Sequence, residues 1–267
     1  MKHLGDLLLS RRPFEEILMG NQAVVRAMVE TGTRVVTSYP GSPTPEIAAA
    51  IRAMDEEKQP FYFEFSVNEK VASEVAFGAA LNGNLSCVFF KSVGLNVALD
   101  SFVQFPLMNI TGGLIAVLGD DPGANSSQNE QDNRNIYKMS RVTVFEPASP
   151  EEAYQYYKEA ADLARQLQTL VVLRLTTHVC HARQKIAFGT WAGPPAFRTE
   201  FNRDNGPYIA LTSMALEMKA ASMEKQNQAR QFAADRGLNR EVVSGDGSRM
   251  GIITSGLTFL SVMDVLE

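Results

Sequence analysis

Three glutamates, Glu64, Glu69 and Glu74, stand in "FYFEFSVNEKVASEVAFGAALNG", residues 61–83. The surrounding residues are apolar and small, which is not how a solvated charged helix reads. The first half, "FYFEF", has the composition of a strand; "NEKVASEVAFGAAL" has that of a helix. Ala72, Ala76, Ala79 and Ala80 with Gly78 form a small-residue face suited to close packing. Glu69 then falls in the first helical turn, at the C-terminal end of a strand. A carboxyl group in a dry crevice there can hold or relay a proton. A plainer role is also open to Glu69, complementing the helix dipole. Glu74 falls mid-helix and reads as structural, Glu64 as a residue of the packing edge.

Three further loops carry candidate chemistry. In "SYPGSPTPEIAAAI" (38–51) a strand ends and a helix begins, with Thr44 as N-cap, Pro45 at the first helical position and Glu46 in the first turn. A helix start offers free N–H groups to an anion, and Ser42 adds a hydroxyl beside Gly41. An ordinary capped turn explains the same residues. "KSVGLNVALD" (91–100) is another strand end with a glycine turn. "GDDPGANSSQNEQDNRNIY" (119–137) gathers acids, amides and Arg134 into one loop, of a length that is more often functional or disordered than inert. "SGDGS" (244–248) reads as a polar turn.

The elements that position these loops alternate regularly. Strands are expected at 33–39, 60–66, 85–91, 112–119, 141–147 and 168–177, and helices at 20–31, 44–55, 68–82, 95–108 and 149–166. Several strands are apolar throughout, as in a parallel sheet covered on both faces. The expected fold is therefore α/β, a doubly wound and mostly parallel sheet with helices on both faces. Ligands bind such folds beyond the C-terminal strand ends, where all four loops fall. Residues 1–19 read as an N-terminal extension and 20–190 as the main domain. Residues 191–248 read as a connector with a long helix near 210–235. Residues 249–267 read as a fresh strand–turn–helix start, the beginning of a second α/β unit.

Composition excludes several classes. The chain has 267 residues, 45% hydrophobic and 21% charged, with a net charge of −5. That gives no basic footprint for nucleic acid. No run reaches membrane-spanning length, and no basic amphipathic stretch favours a membrane surface. The N-terminal apolar run is too short for a signal peptide. Cys87 and Cys180 lack metal-ligand spacing and read as buried thiols of a cytoplasmic protein. They cannot supply a full cysteine set for an iron–sulphur cluster. No GxGxxG or Walker loop supports a generic nucleotide-binding domain.

Taken together, "YPGSPTPEI", "EFSVNEKVASEVAFGAA", "KSVGLN" and "DDPGANSSQNEQDNR" resemble, in order and spacing, the large-subunit sequences of the indolepyruvate branch of the thiamine-diphosphate-dependent 2-oxoacid:ferredoxin oxidoreductases. The resemblance covers about residues 18–180, and "GIITSGLTFLSVMDVL" resembles the start of the next, transketolase-C-terminal-like domain. It implies a pyrimidine-binding (PYR) domain. In that family a glutamate hydrogen-bonds N1′ of the cofactor's aminopyrimidine and favours the imino tautomer, which takes the proton from the thiazolium C2. Glu69 matches its position, and Val93, Gly94 and Leu95 match the turn beside the pyrimidine. Ser42, with Gly41, matches a position near the substrate carboxylate, while Asn133 and Arg134 would line the substrate pocket. The cofactor implied is thiamine diphosphate, with coenzyme A as co-substrate.

A "GDG" followed at the family's spacing by Asn is missing, since "SGDGS" has no such Asn after it. Mg2+, 4Fe-4S clusters and the GDG…N diphosphate domain are therefore expected from elsewhere. The expected partners are a chain carrying that domain and an iron–sulphur subunit or ferredoxin, in a homo- or hetero-oligomer inactive without them. A non-catalytic assembly or regulatory subunit that kept the PYR fold is the alternative.

Overall fold

The computed structural model describes residues 3–123, 129–242 and 251–266. In chain order the elements are α1 (Leu4–Leu8), β1 (Phe14–Met19), α2 (Gly20–Glu30), β2 (Val35–Ser38), α3 (Pro45–Arg52), β3 (Tyr62–Phe65), α4 (Glu69–Leu81), β4 (Ser86–Lys91) and α5 (Gly94–Phe102). They continue with β5 (Leu114–Asp120), α6 (Arg134–Ser140), β6 (Thr143–Phe145), α7 (Pro150–Leu167), β7 (Leu170–Thr176), α8 (Thr177–His181), β8 (Arg183–Phe188), α9 (Ala215–Asp235) and α10 (Leu257–Leu266).

Six strands form one parallel sheet in the order β3-β2-β4-β5-β7-β6. Alternation along each strand feeds two cores. Val36, Cys87, Phe89, Ile115, Val117, Val171 and Leu173 pack with residues of α2, α3 and α7. Val88, Phe90, Ala116, Leu118 and Val172 pack on the other face with Ala72, Ala76 and Ala80 of α4 and Leu95, Ala98 and Phe102 of α5. Burial on both faces explains why these strands read as continuous apolar runs. The doubly wound α/β fold expected from the sequence is the one observed. Cys87 and Cys180 are buried free thiols, and burial pushes Cys87 up to about 12.

The chain runs from β2 to β3 on one side, then returns to place β4 on the other side of β2. In open α/β sheets such a reversal is where the ligand crevice lies, here at the C-terminal ends of β2 and β4. Ser38 pairs with both Phe65 of β3 and Phe89 of β4, so β2 and β3 end level while β4 runs two residues further, to Lys91.

Several boundaries differ from expectation. Residues 1–19 are woven into the fold: β1 pairs antiparallel with β8, and Leu7, Leu8 and Leu18 are buried. Arg26, fully buried in α2, ties these pieces together. It donates to Glu30, to the carbonyls of Leu8 and Ser10, and to that of Gly189. A charged residue inside an apolar helix was the only sequence signal for that tie. The 95–108 helix is shorter, because Pro106 enters a 3-10 turn at Phe105–Leu107 after α5 ends. The helix expected from 210 begins at Ala215. Residues 251–255 form no strand, so among the described residues the expected strand–turn–helix is represented by its helix, α10. "SGDGS" lies outside the described residues. No helix among the described residues is long and apolar enough to cross a membrane.

Candidate active site at the C-terminal edge of the sheet

Glu69 opens α4, one position after Asn68. Asn68 caps the helix, its side chain accepting from the Val71 N–H at 2.9 Å, which sets the direction in which α4 leaves β3. Ala72, Ala76 and Ala80 bring α4 close to the sheet and to α5. Gly78 takes no part in that face: a side chain there would meet open space. Glu69 itself is only 6% exposed, yet its carboxylate has no hydrogen-bond or ion-pair partner among the described residues.

What Glu69 touches instead is the turn after β4. A Cβ on Gly94 would lie 2.5 Å from Glu69 Oε1 and 2.7 Å from its Cγ. Glycine at 94 therefore makes room for the glutamate at 69, 25 residues earlier by count along the chain. Leu95 is fully buried behind the turn and Val93 is half-buried at its rim. Exposed apolar side chains, Val67 at 79% and Val97 at 49%, stand on the segments that carry Glu69 and Gly94.

The other two glutamates separate as their spacing suggests. Glu64, on edge strand β3, accepts from Tyr62 and Ser66, which holds its carboxyl below the usual range. Exposed Glu74 accepts from Ser101 on α5.

Gly41 and Ser42 lie across the crevice, after β2. Gly41 is half-buried under the side chain of Lys91, and Ser42 is exposed. Asn21 holds this loop from α2, donating to the Pro43 carbonyl at 2.8 Å and to Glu46 at 2.9 Å. Pro45 and Glu46 occupy the first turn of α3 as expected. Thr44 does not cap with its side chain; its hydroxyl donates to the Gly41 carbonyl instead.

Asn133 and Arg134 are placed differently from one another. Asn133 is fully buried and holds three pieces of the edge together. Its amide donates to the Ser92 carbonyl at 3.0 Å and to Asp120 at 3.1 Å, and its oxygen accepts from Gln131. Asp120 also receives the Arg174 Nε at 2.6 Å, and Arg174 reaches Glu146 with Nη1. Burial raises the Asp120 carboxyl, with Arg174 opposing that shift. Arg134 begins α6 and is engaged by Asp132 through three side-chain bonds. Sequence reading singled out Asn133 but passed over Arg174 and Lys91, which look like ordinary strand residues; a charge ending or interrupting an apolar strand was their signal. Residues 124–128 of this loop lie outside the described residues.

A buried, unpartnered carboxylate against a glycine turn at a sheet reversal is the geometry of a ligand site. Residues 26–245 match the family described as pyruvate flavodoxin/ferredoxin oxidoreductase, thiamine diphosphate-binding. The chain belongs to this family. It is 37% identical over 264 residues to the indolepyruvate oxidoreductase subunit IorA of Methanothermobacter thermautotrophicus, covering 99% of this chain and 42% of that protein. It is 34% identical over 273 residues to the IorA subunit of Thermococcus kodakarensis, covering 100% and 42%. The chain thus spans about 42% of the length of these curated relatives. Among solved structures it resembles a 2-oxoglutarate:ferredoxin oxidoreductase from Magnetococcus marinus with 2-oxoglutarate, coenzyme A and succinyl-CoA bound. The TM-score is 0.68 at 17% identity, covering 94% of this chain and 50% of that one. At that identity the likeness speaks for the fold.

Proposed function

We propose that this chain supplies the pyrimidine side of a thiamine diphosphate site in an indolepyruvate- or arylpyruvate-type 2-oxoacid:ferredoxin oxidoreductase. The observation that carries this reading is the Glu69–Gly94 contact. It presents a buried carboxylate, unpartnered among the described residues, beside a turn that a Cβ would fill. Those residues fit an aminopyrimidine. Glu69 would hold N1′, and Val93, Gly94 and Leu95 would frame the ring. Bound thiamine diphosphate supplies a carbon nucleophile and an electron sink for 2-oxoacid decarboxylation.

The work of this chain is then positional and protonic. Glu69 holds or returns a proton at the ring nitrogen, in a crevice where low dielectric strengthens that bond. The Asn68 cap and the alanine face of α4 fix where the carboxylate stands. Gly41 and Ser42 border the position expected for the substrate. Asn133, being buried, would act through the Ser92–Gly94 turn that it holds, and Arg134 would border the pocket with Asp132 attached.

In this reading residues 20–190 are the PYR domain, completed by β1 from residues 1–19. Residues 191–248 are a connector, and 249–267 begin a transketolase-C-terminal-like domain. The diphosphate and its Mg2+ would be held by a domain with a GDG…N motif, which also covers Glu69. Iron–sulphur 4Fe-4S components and ferredoxin would take the electrons, and coenzyme A the acyl group, in a cytoplasmic oligomer.

The test is electron-acceptor reduction by the full-length chain assembled with its partner subunits, given thiamine diphosphate, coenzyme A and indolepyruvate. Glu69→Gln is expected to lower the rate by at least about 100-fold, the lower end of what a general acid–base group contributes. Near-normal turnover of that variant would sink the assignment. A wild-type assembly that binds no thiamine diphosphate by calorimetry would instead support a non-catalytic subunit.

A further inference from the structure

Lys91 ends β4, at the strand reversal, three positions before Gly94. Its stem lies across Gly41: a Cβ on Gly41 would stand 2.8 Å from both Cγ and Cδ of Lys91. Three other cations on this sheet edge have ion-pair mates. Arg174 pairs with Asp120 and Glu146, Arg134 with Asp132, and Lys70 with Asp100. Lys91 is half-buried as a residue, and its ammonium has no hydrogen-bond or ion-pair partner among the described residues. An ammonium without a mate in its own chain is open to a charge-assisted bond with an anion arriving from outside it.

Strand alternation places Lys91 in register with Cys87 and Phe89, which face α2, α3 and α7. Glu69 opens α4 on the opposite face. The two groups therefore flank the end of β4 from opposite faces, with the Ser92–Gly94 turn between them. We infer that Lys91 is a substrate-binding residue that anchors the carboxylate of the 2-oxoacid, beside the Ser42 hydroxyl and opposite the Glu69 side of the crevice. Gly41 has its place in this arrangement because any side chain there would push the lysine stem aside.

This inference rests on the proposed function, and its test separates the two. In the full-length assembly, Lys91→Gln is expected to raise KM for indolepyruvate by about 10- to 100-fold, the loss of one charge-assisted bond. Thiamine diphosphate affinity is expected to stay within about twofold of wild type. Lys91→Arg should recover part of the loss. A pair of competitive inhibitors gives a readout that a merely structural lysine would not move: an indole propionate and its uncharged amide. Wild type should prefer the carboxylate, and Lys91→Gln should lose that preference. A preserved preference, or a loss confined to thiamine diphosphate affinity, overturns the role given to Lys91 while leaving the proposed function standing. A wild-type assembly that shows no 2-oxoacid-dependent reduction overturns both.

Discussion

At the ends of β5, β6 and β7, buried charges have mates. Arg174 lies between Asp120 and Glu146, and Asn133 fastens Asp120 to the Ser92 carbonyl. At the ends of β2, β3 and β4, on the same edge of the same sheet, Glu69 is buried and Lys91 half-buried, both without partners among the described residues. The first half has the chemistry of a scaffold. Low dielectric strengthens paired charges and penalises movement that separates them. The second half has the chemistry of a site, because an unmated polar group is stabilised by whatever ligand completes it. The two halves meet at Ser92: the scaffold holds the carbonyl that precedes the turn on which Glu69 rests.

The difference can be broken first at its charged centres. Glu69→Gln should reduce turnover at least about 100-fold while shifting unfolding free energy by no more than about 0.5 kcal/mol. Arg174→Met should do the reverse. It leaves Asp120 uncompensated in the interior and should cost about 3–5 kcal/mol in denaturant unfolding. Equal stability losses in the two variants would erase the distinction between scaffold and site.

The join between the halves gives an intermediate effect. Gly94→Ala forces the whole Glu69 side chain to move, since both Oε1 and Cγ lie within contact of the new methyl. A displacement of that size should lower turnover about 100-fold, with a stability cost of about 1–3 kcal/mol from overpacking. Steady-state kinetics alongside thermal unfolding would show whether activity falls more than stability.

A test that touches stability alone lies at the opposite edge. Lys225 of α9 is half-buried against the N-terminal side of the sheet and donates to the carbonyls of Met108 and Gln168 and to Asn109, each at 3.1 Å. Burial lowers its ammonium to about 8 from an ordinary 10.5. Between those pH values the unfolded chain still holds a proton that the folded chain has released. The stability contribution of this group therefore rises as pH rises through that window. Denaturant unfolding of wild type minus Lys225→Met should grow more favourable to wild type from pH 8 to 10.5, by on the order of 2–3 kcal/mol. A flat difference would show that the three oxygens fully offset the burial.

The legibility of the fold followed burial. The six parallel strands and the helices between them were readable because a strand covered on both faces is apolar along most of its length, as β4 is from Cys87 to Phe90 and β5 from Leu114 to Leu118. The antiparallel pair β1–β8 was not readable. Its strands are largely exposed, β1 with three exposed residues in succession from Glu15 to Ile17, and they pair across most of the chain. Gly78 was misassigned to the packing face because a helix of small residues gives little contrast between its sides. Thr44 was expected to cap, but the Gly41 carbonyl took its hydroxyl.

The sequence by itself determined the α/β class, the loops that end its strands and the glutamate worth watching. These depend on local periodicity and on residue types that favour turns. Only the tertiary structure decided which groups are mated. Glu69 meets Gly94 because α4 and α5 pack side by side, Lys91 meets Gly41 because β2 and β4 are neighbours, and Asp120 meets Arg174 because β5 and β7 are. A charge's role is set by what lies within a few ångströms of it, and chain order does not carry that distance.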